Sequence, residues 1–298
     1  MRNRHFLCSH HAVNRGFTLV EAVIVIVITG IVAVGVAIFL RAPVAGYVNS
    51  AARADLADTA DTALRRMARD IRLALPNSVR VAGPDTNNAY YIELLLTRTG
   101  GRYLDLSDVP GYTTPTPHPL DFTGGSTQFD VVGSLPGSLE QKIQVGSDSV
   151  VVSNLGQQPS DAYQASPNNR SLITAVSTTS GVTTITMQSD PFTSQVQKSN
   201  YFRFQVISGP VTYRCDPTSQ TVTRYWNYAI SATQPSTLAA LSSAQSALIA
   251  TGVNGCIFTY SQNSMNDALA VLNIQMGVPG NASGSVGLFQ QVHVDNTP

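Results

Sequence analysis

Residues 16–40, GFTLVEAVIVIVITGIVAVGVAIFL, form an almost uninterrupted apolar stretch around which the chain is organised. Between Ala22 and Leu40 the only polar side chain is Thr29, and neither Lys nor Arg occurs. At about 1.5 Å per residue, a helix over these residues is roughly 28 Å long, which matches the hydrocarbon core of a bilayer. The stretch therefore predicts a membrane-spanning helix.

Glu21 is the one carboxylate in this stretch. A carboxylate within hydrocarbon costs about 2.5 kcal/mol or more, so an acid at this depth indicates a function. The alternative is a plain membrane anchor that places Glu21 at the level of the lipid headgroups. Spacing alone leaves both interpretations open.

The residues GFTLVE, from Gly16 to Glu21, follow the basic Arg15 and lead directly into the apolar run. This combination resembles the processing site of type IV prepilins and pseudopilins. The resemblance implies that a prepilin peptidase cleaves between Gly16 and Phe17 and methylates the new amino terminus of Phe17. It also implies that Glu21, one helical turn further on, takes part in filament assembly.

The proposed role of Glu21 has a physical basis. Cleavage would place a new ammonium group on Phe17, and the Glu21 carboxylate of one subunit could pair with the ammonium of its neighbour. Pairing offsets much of the cost of burying either charge alone in an apolar bundle. The pair would also fix the axial register between subunits, and we treat this as a hypothesis.

The charge distribution is consistent with export and gives no sign of general nucleic-acid binding. The 298-residue chain has no net charge, and its expected leader peptide, residues 1–16, contains Arg2, Arg4 and Arg15 but no acid. Without the leader, 15 basic and 18 acidic residues leave a net charge of −3. Because positive charge stays on the cytoplasmic side, we expect an inner-membrane anchor with the residues after Leu40 in the periplasm.

The cysteines agree with an oxidising compartment. Cys8 lies in the leader, which leaves Cys215 and Cys256 as an even pair that favours a disulfide. The bond would close a loop of about 40 residues and add about 3–4 kcal/mol through loop entropy. Two buried free thiols are the alternative, and two cysteines without CxxC spacing make a poor metal site.

One long helix is expected over residues 17–75. Pro43 and Gly46 interrupt it, which separates a membrane or filament-core part (17–43) from an amphipathic part (44–76). In the second part, apolar residues recur at steps of three and four: Leu56, Ala60, Leu64, Met67, Ile71 and Leu75. Pro76 disfavours a helical conformation in the preceding residue and ends the helix.

Residues 77–298 predict a β-rich globular domain, because short β-branched and aromatic segments alternate there with turn residues. The predicted strands are residues 90–97, 128–132, 150–153, 182–187, 201–207, 211–215, 221–228, 257–260, 268–276 and 288–294. A short helix is predicted within 238–248, and loops over 111–125 and 156–170. The fold class is α+β, pilin-like, with the distal half of the helix packed on an antiparallel sheet.

Four further segments narrow the resemblance: ALPNSVRV (74–81), SGPVTYRC (208–215), GCIFTY (255–260) and QVHVDNTP (291–298). They are similar to minor pilin-like subunits of mannose-sensitive haemagglutinin (MSHA) type IV pili. The resemblance implies a subunit that helps to start or cap the filament. Its implied partners are other minor pilins, the major pilin and the inner-membrane assembly platform. A minor pseudopilin of a type II secretion system is the alternative within this family.

A second alternative is a membrane-anchored tip adhesin or DNA-binding minor pilin. Basic and aromatic residues interleave over the predicted hairpin and form a candidate binding patch that can stack bases or sugars: Arg214, Arg224, Tyr225, Trp226 and Tyr228. Cross-strand packing is the structural explanation of the same residues. The exposure of Trp226 and Tyr228 distinguishes the two.

The sequence gives little support for catalysis. It contains no GxSxG, P-loop or HExxH motif. Outside the leader, the histidines are His118 and His293, and neither has a catalytic partner at a typical spacing. We therefore expect a non-enzymatic protein without a metal or a cofactor.

Overall fold

The computed structural model describes residues 16–111, 117–167, 169–194, 198–264, 266–278 and 284–297. The chain divides into two compact units between Ala52 and Arg53. The first unit contains the N-terminal part of the long helix α1 (Leu19–Arg72), and the second contains the rest of α1 and the β-rich head. Part of the expected loop over 111–125 lies outside the described residues.

In the first unit, α1 begins at Leu19 and continues through Pro43 and Gly46 without a break. The helix is therefore continuous at Pro43 and Gly46, where the sequence predicted an interruption. Thr29 Oγ1 lies 2.7 Å from the carbonyl oxygen of Val25 and 3.1 Å from that of Ile26, so this hydroxyl donates within the helix. In the part of the chain that the structure describes, α1 alone is long and apolar enough to span a membrane.

The head consists of antiparallel strands. Those in the described residues are β1 (Arg80–Ala82), β2 (Tyr90–Tyr103), β3 (Gln128–Val132), β4 (Ser149–Val151), β5 (Arg170–Thr179), β6 (Val182–Met187), β7 (Arg203–Asp216), β8 (Thr221–Trp226), β9 (Gln245–Thr251), β10 (Val253–Ser264), β11 (Asp267–Gly277) and β12 (Ser285–Asp295). The long helix together with this β-rich region confirms the predicted α+β, pilin-like class.

Strands β2 and β7 run side by side over 14 residues each and belong to two substructures. One half of the pair, Tyr90–Leu95 with Pro210–Cys215, forms the centre of an open sheet in the order β1-β2-β7-β8-β9, which we call the platform. The other half closes a barrel, because the pairings run from β2 through β3, β6, β5 and β4 back to β7.

The barrel has a hydrophobic core of its own, built from the inward row of each strand. The rings of Phe129 and Phe204 meet edge to face with their centroids 5.1 Å apart. Tyr103, Ile185 and Val206 are fully buried beside them. Since the barrel closes on itself, its strands leave no free edge.

A separate sheet contains β10, β11 and β12 in that order. The inward row of the middle strand β11 is fully buried: Ala268, Ala270, Leu272, Ile274 and Met276. These residues share one hydrophobic core with Ile92 and Leu94 of the platform and with the distal part of α1.

The part of α1 in the second unit has the amphipathic face that the sequence predicts. Ala60, Leu64, Met67 and Ile71 are at most 2% exposed. Burying such an aliphatic side chain contributes about 1.5–3 kcal/mol before conformational entropy is counted. This stripe therefore fixes the helix on the head.

Helix α1 ends at Arg72, three residues before the expected Leu75. The Leu75 N–H donates to the Leu95 carbonyl at 2.8 Å, and the Thr97 N–H donates to the Leu73 carbonyl at 2.9 Å. The residues before Pro76 are thus paired with β2, and these hydrogen bonds replace a last helical turn.

Several sequence-based assignments of the head were wrong. The helix predicted within 238–248 is a 3₁₀ turn at Ala239–Leu241 followed by β9, because residues 245–251 pair with the edge of β8. Strands β1 and β5 were missed. The two strands predicted at 201–207 and 211–215 are one strand, β7, which continues through Gly209 and Pro210.

Candidate functional site

The residues of the predicted processing site lie at the start of α1. Gly16, Phe17 and Thr18 precede the helix. The Thr18 carbonyl accepts from the Ala22 N–H at 3.2 Å, and Thr18 Oγ1 accepts from the Glu21 N–H at 3.3 Å, so Thr18 is the N-cap. The peptide bond between Gly16 and Phe17 is therefore outside the helix, with Phe17 80% exposed, as a peptidase requires of its substrate bond.

Glu21 lies in the first turn of α1, four residues after Phe17. A carboxylate at this end of a helix interacts favourably with the helix dipole. Glu21 is exposed, and no ion pair involves it within the described residues. The charge is therefore free to meet a group from outside the chain.

The helix that follows has a fully exposed apolar surface in the first unit. Its large side chains between Leu19 and Val48 are all at least half exposed. An apolar surface of this extent is not stable in water and requires lipid or other helices around it. The segment is thus suited to a bilayer and to a bundle of like helices.

In the candidate binding patch, Arg214 and Tyr225 are buried, and Arg224, Trp226 and Tyr228 are half-buried. On the helix-facing side of the platform, Arg224 Nε donates to Asp70 Oδ2 at 2.8 Å, and the Tyr213 hydroxyl donates to the same oxygen at 2.8 Å. The Arg224 guanidinium lies 5.2 Å from the centroid of the Trp226 ring. These side chains therefore hold α1 on the platform.

The other members of the patch point to the opposite side of the platform. Arg214 Nε donates to the Tyr91 hydroxyl at 3.0 Å, and the Arg214 guanidinium lies 2.7 Å from Asp216. The Tyr91 hydroxyl in turn donates to Asp85 at 2.7 Å. Burial, together with the hydrogen bond to Asp85, raises the pKa of Tyr91 to about 12.

Tyr225 and Tyr228 are also on this opposite side. Tyr225 is 9% exposed. The Tyr228 hydroxyl donates to Glu93 at 2.9 Å, and Arg80 donates to the same carboxylate at 2.6 Å. Burial raises the pKa of Glu93, and the hydrogen bonds from Arg80 and Tyr228 oppose the rise. The basic and aromatic residues of the hairpin are thus divided between two internal networks.

Cys215 of β7 and Cys256 of β10 form a disulfide, with Cα atoms 6.4 Å apart. The bond joins the platform to the separate sheet at the edge of their common core. Because the two sheets have no strand in common, the disulfide is a covalent link between them.

His118 and His293 each lie beside an aspartate. His118 Nδ1 is 3.1 Å from Asp130, whose carboxylate also accepts from the Thr184 hydroxyl at 2.6 Å. His293 Nδ1 is 3.3 Å from Asp267 on the neighbouring strand. Among the described residues there is no group of three His, Cys, Asp or Glu side chains able to hold a metal ion.

Sequence reasoning missed Asp70 and Glu93, two of the buried acids in these networks. Asp70 lies near the end of α1 and pairs with Arg224 of β8. A carboxylate in the last turn of a helix is unfavourable for the helix dipole. Since the helix was expected to continue to Leu75, the sequence did not show that Asp70 lies in its last turn, and Arg224 is 154 residues further along the chain.

Comparison with known families supports the interpretation of the N-terminal segment. The family model of the prokaryotic N-terminal methylation motif matches residues 12–37, which include Gly16, Phe17 and Glu21. The match supports a type IV prepilin-like protein and implies processing by a prepilin peptidase and pilus-type assembly machinery. Together with the apolar helix it is compatible with a single-pass membrane anchor. No curated protein and no solved structure matches the chain.

Proposed function

We propose that this chain is a minor pilin-like subunit of an MSHA-type type IV pilus, similar to MshO. It assists initiation or tip assembly of the filament after cleavage between Gly16 and Phe17 and N-methylation of Phe17. The observation that carries the proposal is the methylation motif followed by an exposed apolar helix that continues into a β-rich head. The MSHA assignment rests in addition on the four sequence segments quoted above.

In this proposal the head is periplasmic and non-enzymatic, and the apolar part of α1 resides first in the inner membrane and then in the filament core. Its partners are the prepilin peptidase, the major pilin, the other minor pilins and the assembly platform. A type II secretion pseudopilin would use the same N-terminal chemistry. The internal networks of the hairpin residues argue against an adhesive or DNA-binding patch there.

Mass spectrometry of the N-terminal peptide tests the processing step. The protein is purified from membranes of cells with and without the prepilin peptidase. We expect a chain beginning at N-methylated Phe17 with the enzyme and at Met1 without it. A chain beginning at Met1 in both strains, or a cut after Leu40, would contradict the proposal.

The Glu21→Ala variant tests the assembly step. We expect normal cleavage but at least a tenfold loss of incorporation into pili, because the ammonium of a neighbouring Phe17 would lose its partner. Thr29→Ala is the matched control, since Thr29 is a polar residue within the apolar run and its hydroxyl donates to carbonyl groups of its own helix. Cross-linking to the major pilin in sheared pilus fractions measures incorporation. Equal incorporation of both variants would refute the role of Glu21.

A further inference from the structure

The four strands that end the two sheets differ in how their free edges are protected. β1 has only 3 residues. The ladder of β8 with β9 has one register shift, and the ladder of β10 with β11 has two register shifts. β12 has 11 residues, pairs with β11 without any shift, and contains neither Lys, Arg nor Pro. Short length, bulges, proline and lysine are the usual ways to prevent pairing at an edge, and β12 uses none of them.

Alternate residues of β12 direct their backbone groups away from β11. The hydrogen bonds from Val278 N–H to Gly284 and from Asn296 N–H to Asn266 continue the same register at both ends of the ladder. Even-numbered residues therefore form the hydrogen-bonded pairs with β11. The odd-numbered residues present N–H and C=O groups at the outer edge, where no described residue bonds them: Ser285, Gly287, Phe289, Gln291, His293 and Asp295.

The hydrophobic core is also incompletely covered at this edge. The inward row of β11 is fully buried, and so are Val292 and Val294 of β12. In contrast, Val286 and Leu288 in the same row of β12 are only half-buried. On the outer face Phe289 is 69% exposed. An additional strand beside β12 would complete both the ladder and the core.

We propose that this strand is β12 of a second copy of the chain, paired antiparallel about a twofold axis at Gln290. In this register all of β12 overlaps. Leu288 meets Val292 of the other copy, and Val286 meets Val294, so apolar residues face each other in the inward row. Gln290 meets Gln290, and Asp295 faces Ser285, so no like charges are opposed.

In this register the odd-numbered residues of the two β12 strands form hydrogen-bonded pairs with each other. The two Gln290 residues form a non-hydrogen-bonded pair. Two Cα atoms in such a position are about 4.5 Å apart, which is within the range for a disulfide. The proposal therefore predicts one particular cross-link. It does not depend on the function proposed above.

Cysteine cross-linking of the full chain in detergent micelles tests the pairing. Both variants are made in a Cys8→Ser background, since Cys215 and Cys256 are already bonded to each other. Gln290→Cys is expected to give a covalent dimer under mild oxidation. The matched control Gln275→Cys places a thiol on the middle strand of the same sheet, on its exposed face. Equal rates of cross-linking for the two variants would overturn the proposal.

A second pair of variants isolates the outer backbone edge. Gln291→Pro removes an N–H that β11 does not use, whereas Gln291→Ala truncates the same side chain and keeps that N–H. We expect Gln291→Pro to reduce the Gln290→Cys cross-link at least tenfold and Gln291→Ala to leave it unchanged. Thermal unfolding of both checks the fold. A cross-link that persists in Gln291→Pro, or one formed with a different protein, would refute pairing between two copies.

Discussion

Replacement of Asp70 by alanine is the most informative perturbation of the head. Its Oδ2 atom accepts hydrogen bonds from Arg224 Nε and from the Tyr213 hydroxyl, each at 2.8 Å. The side chains of Asp70 and Arg224 are only 5% and 14% exposed. Removing the carboxylate therefore leaves a buried guanidinium and a buried phenol without their shared partner.

The expected loss in the free energy of unfolding is about 3–5 kcal/mol, which is the usual cost of breaking a buried ion pair by deleting one member. The same helix provides a matched control in Asp61, which pairs with Arg65 at 2.6 Å while the two side chains are 43% and 74% exposed. Asp61→Ala should cost only about 0.3–0.5 kcal/mol, because exposed pairs of this kind contribute little.

Urea unfolding of the full chain in detergent, followed by tryptophan fluorescence, measures both effects. Trp226 is the single tryptophan and lies next to Arg224, so the probe reports on the perturbed site itself. At a slope of about 3 kcal/mol per M, the midpoint of Asp70→Ala should fall by about 1–1.7 M. Combining Asp70→Ala with Arg224→Met should recover most of the loss, since no unpaired charge then remains.

Equal midpoints for Asp70→Ala and Asp61→Ala would refute this reasoning. They would mean that Arg224 finds another partner or water once Asp70 is gone. The double variant would then show no recovery.

Two further predictions concern the platform. The double variant Cys215→Ala/Cys256→Ala should lose about 4 kcal/mol, because the disulfide links residues 41 apart; midpoints of the oxidised wild type and this variant measure it. Burial alone would raise the pKa of Asp216, but hydrogen bonds from Ser219 and Thr218 and the charge of Arg214 hold this pKa below its ordinary value of 3.8. That stabilisation exists above pH 3.8 and is lost as the pH falls through the lower folded-state pKa. Asp216→Asn should therefore destabilise at neutral pH and have little effect at about pH 2, as urea titrations at both pH values would show.

The processing segment and α1 could be predicted from the sequence because both are local patterns. The order of Gly16, Phe17 and Glu21 and the spacing of Ala60, Leu64 and Ile71 need no knowledge of distant residues. The end of α1 was misplaced, because it is set by hydrogen bonds to Leu95 and Thr97 of β2, which are distant from it in sequence.

The errors in the head have the same origin. Gly209 and Pro210 are typical of a strand break, yet β7 continues through them. On one side of β7, the pairing with β4 ends at Ile207 and the pairing with β8 begins at Val211. Pro210 therefore lies where one side of β7 has no neighbour, and its missing N–H costs nothing. The helical spacing in residues 238–248 was likewise overridden by pairing with β8. The sequence could not divide the hairpin residues between the two faces of the platform, because residue type does not show which face of a strand is covered.

The sharing of β2 and β7 between platform and barrel has a consequence for how the head folds. Tyr90 pairs with Cys215 and Arg102 with Arg203, so the central ladder joins segments separated by the sequence of the whole barrel. Closing so long a loop before any of its contacts form makes folding slow, in the range of milliseconds to seconds typical of non-local β topologies. In the proposed topology the leader stays in the cytoplasm, and β7 follows β2 and strands β3 to β6 across the membrane before the platform can nucleate. In that topology, α1 can dock on the head and Cys215 can be oxidised only after most of the head has been exported.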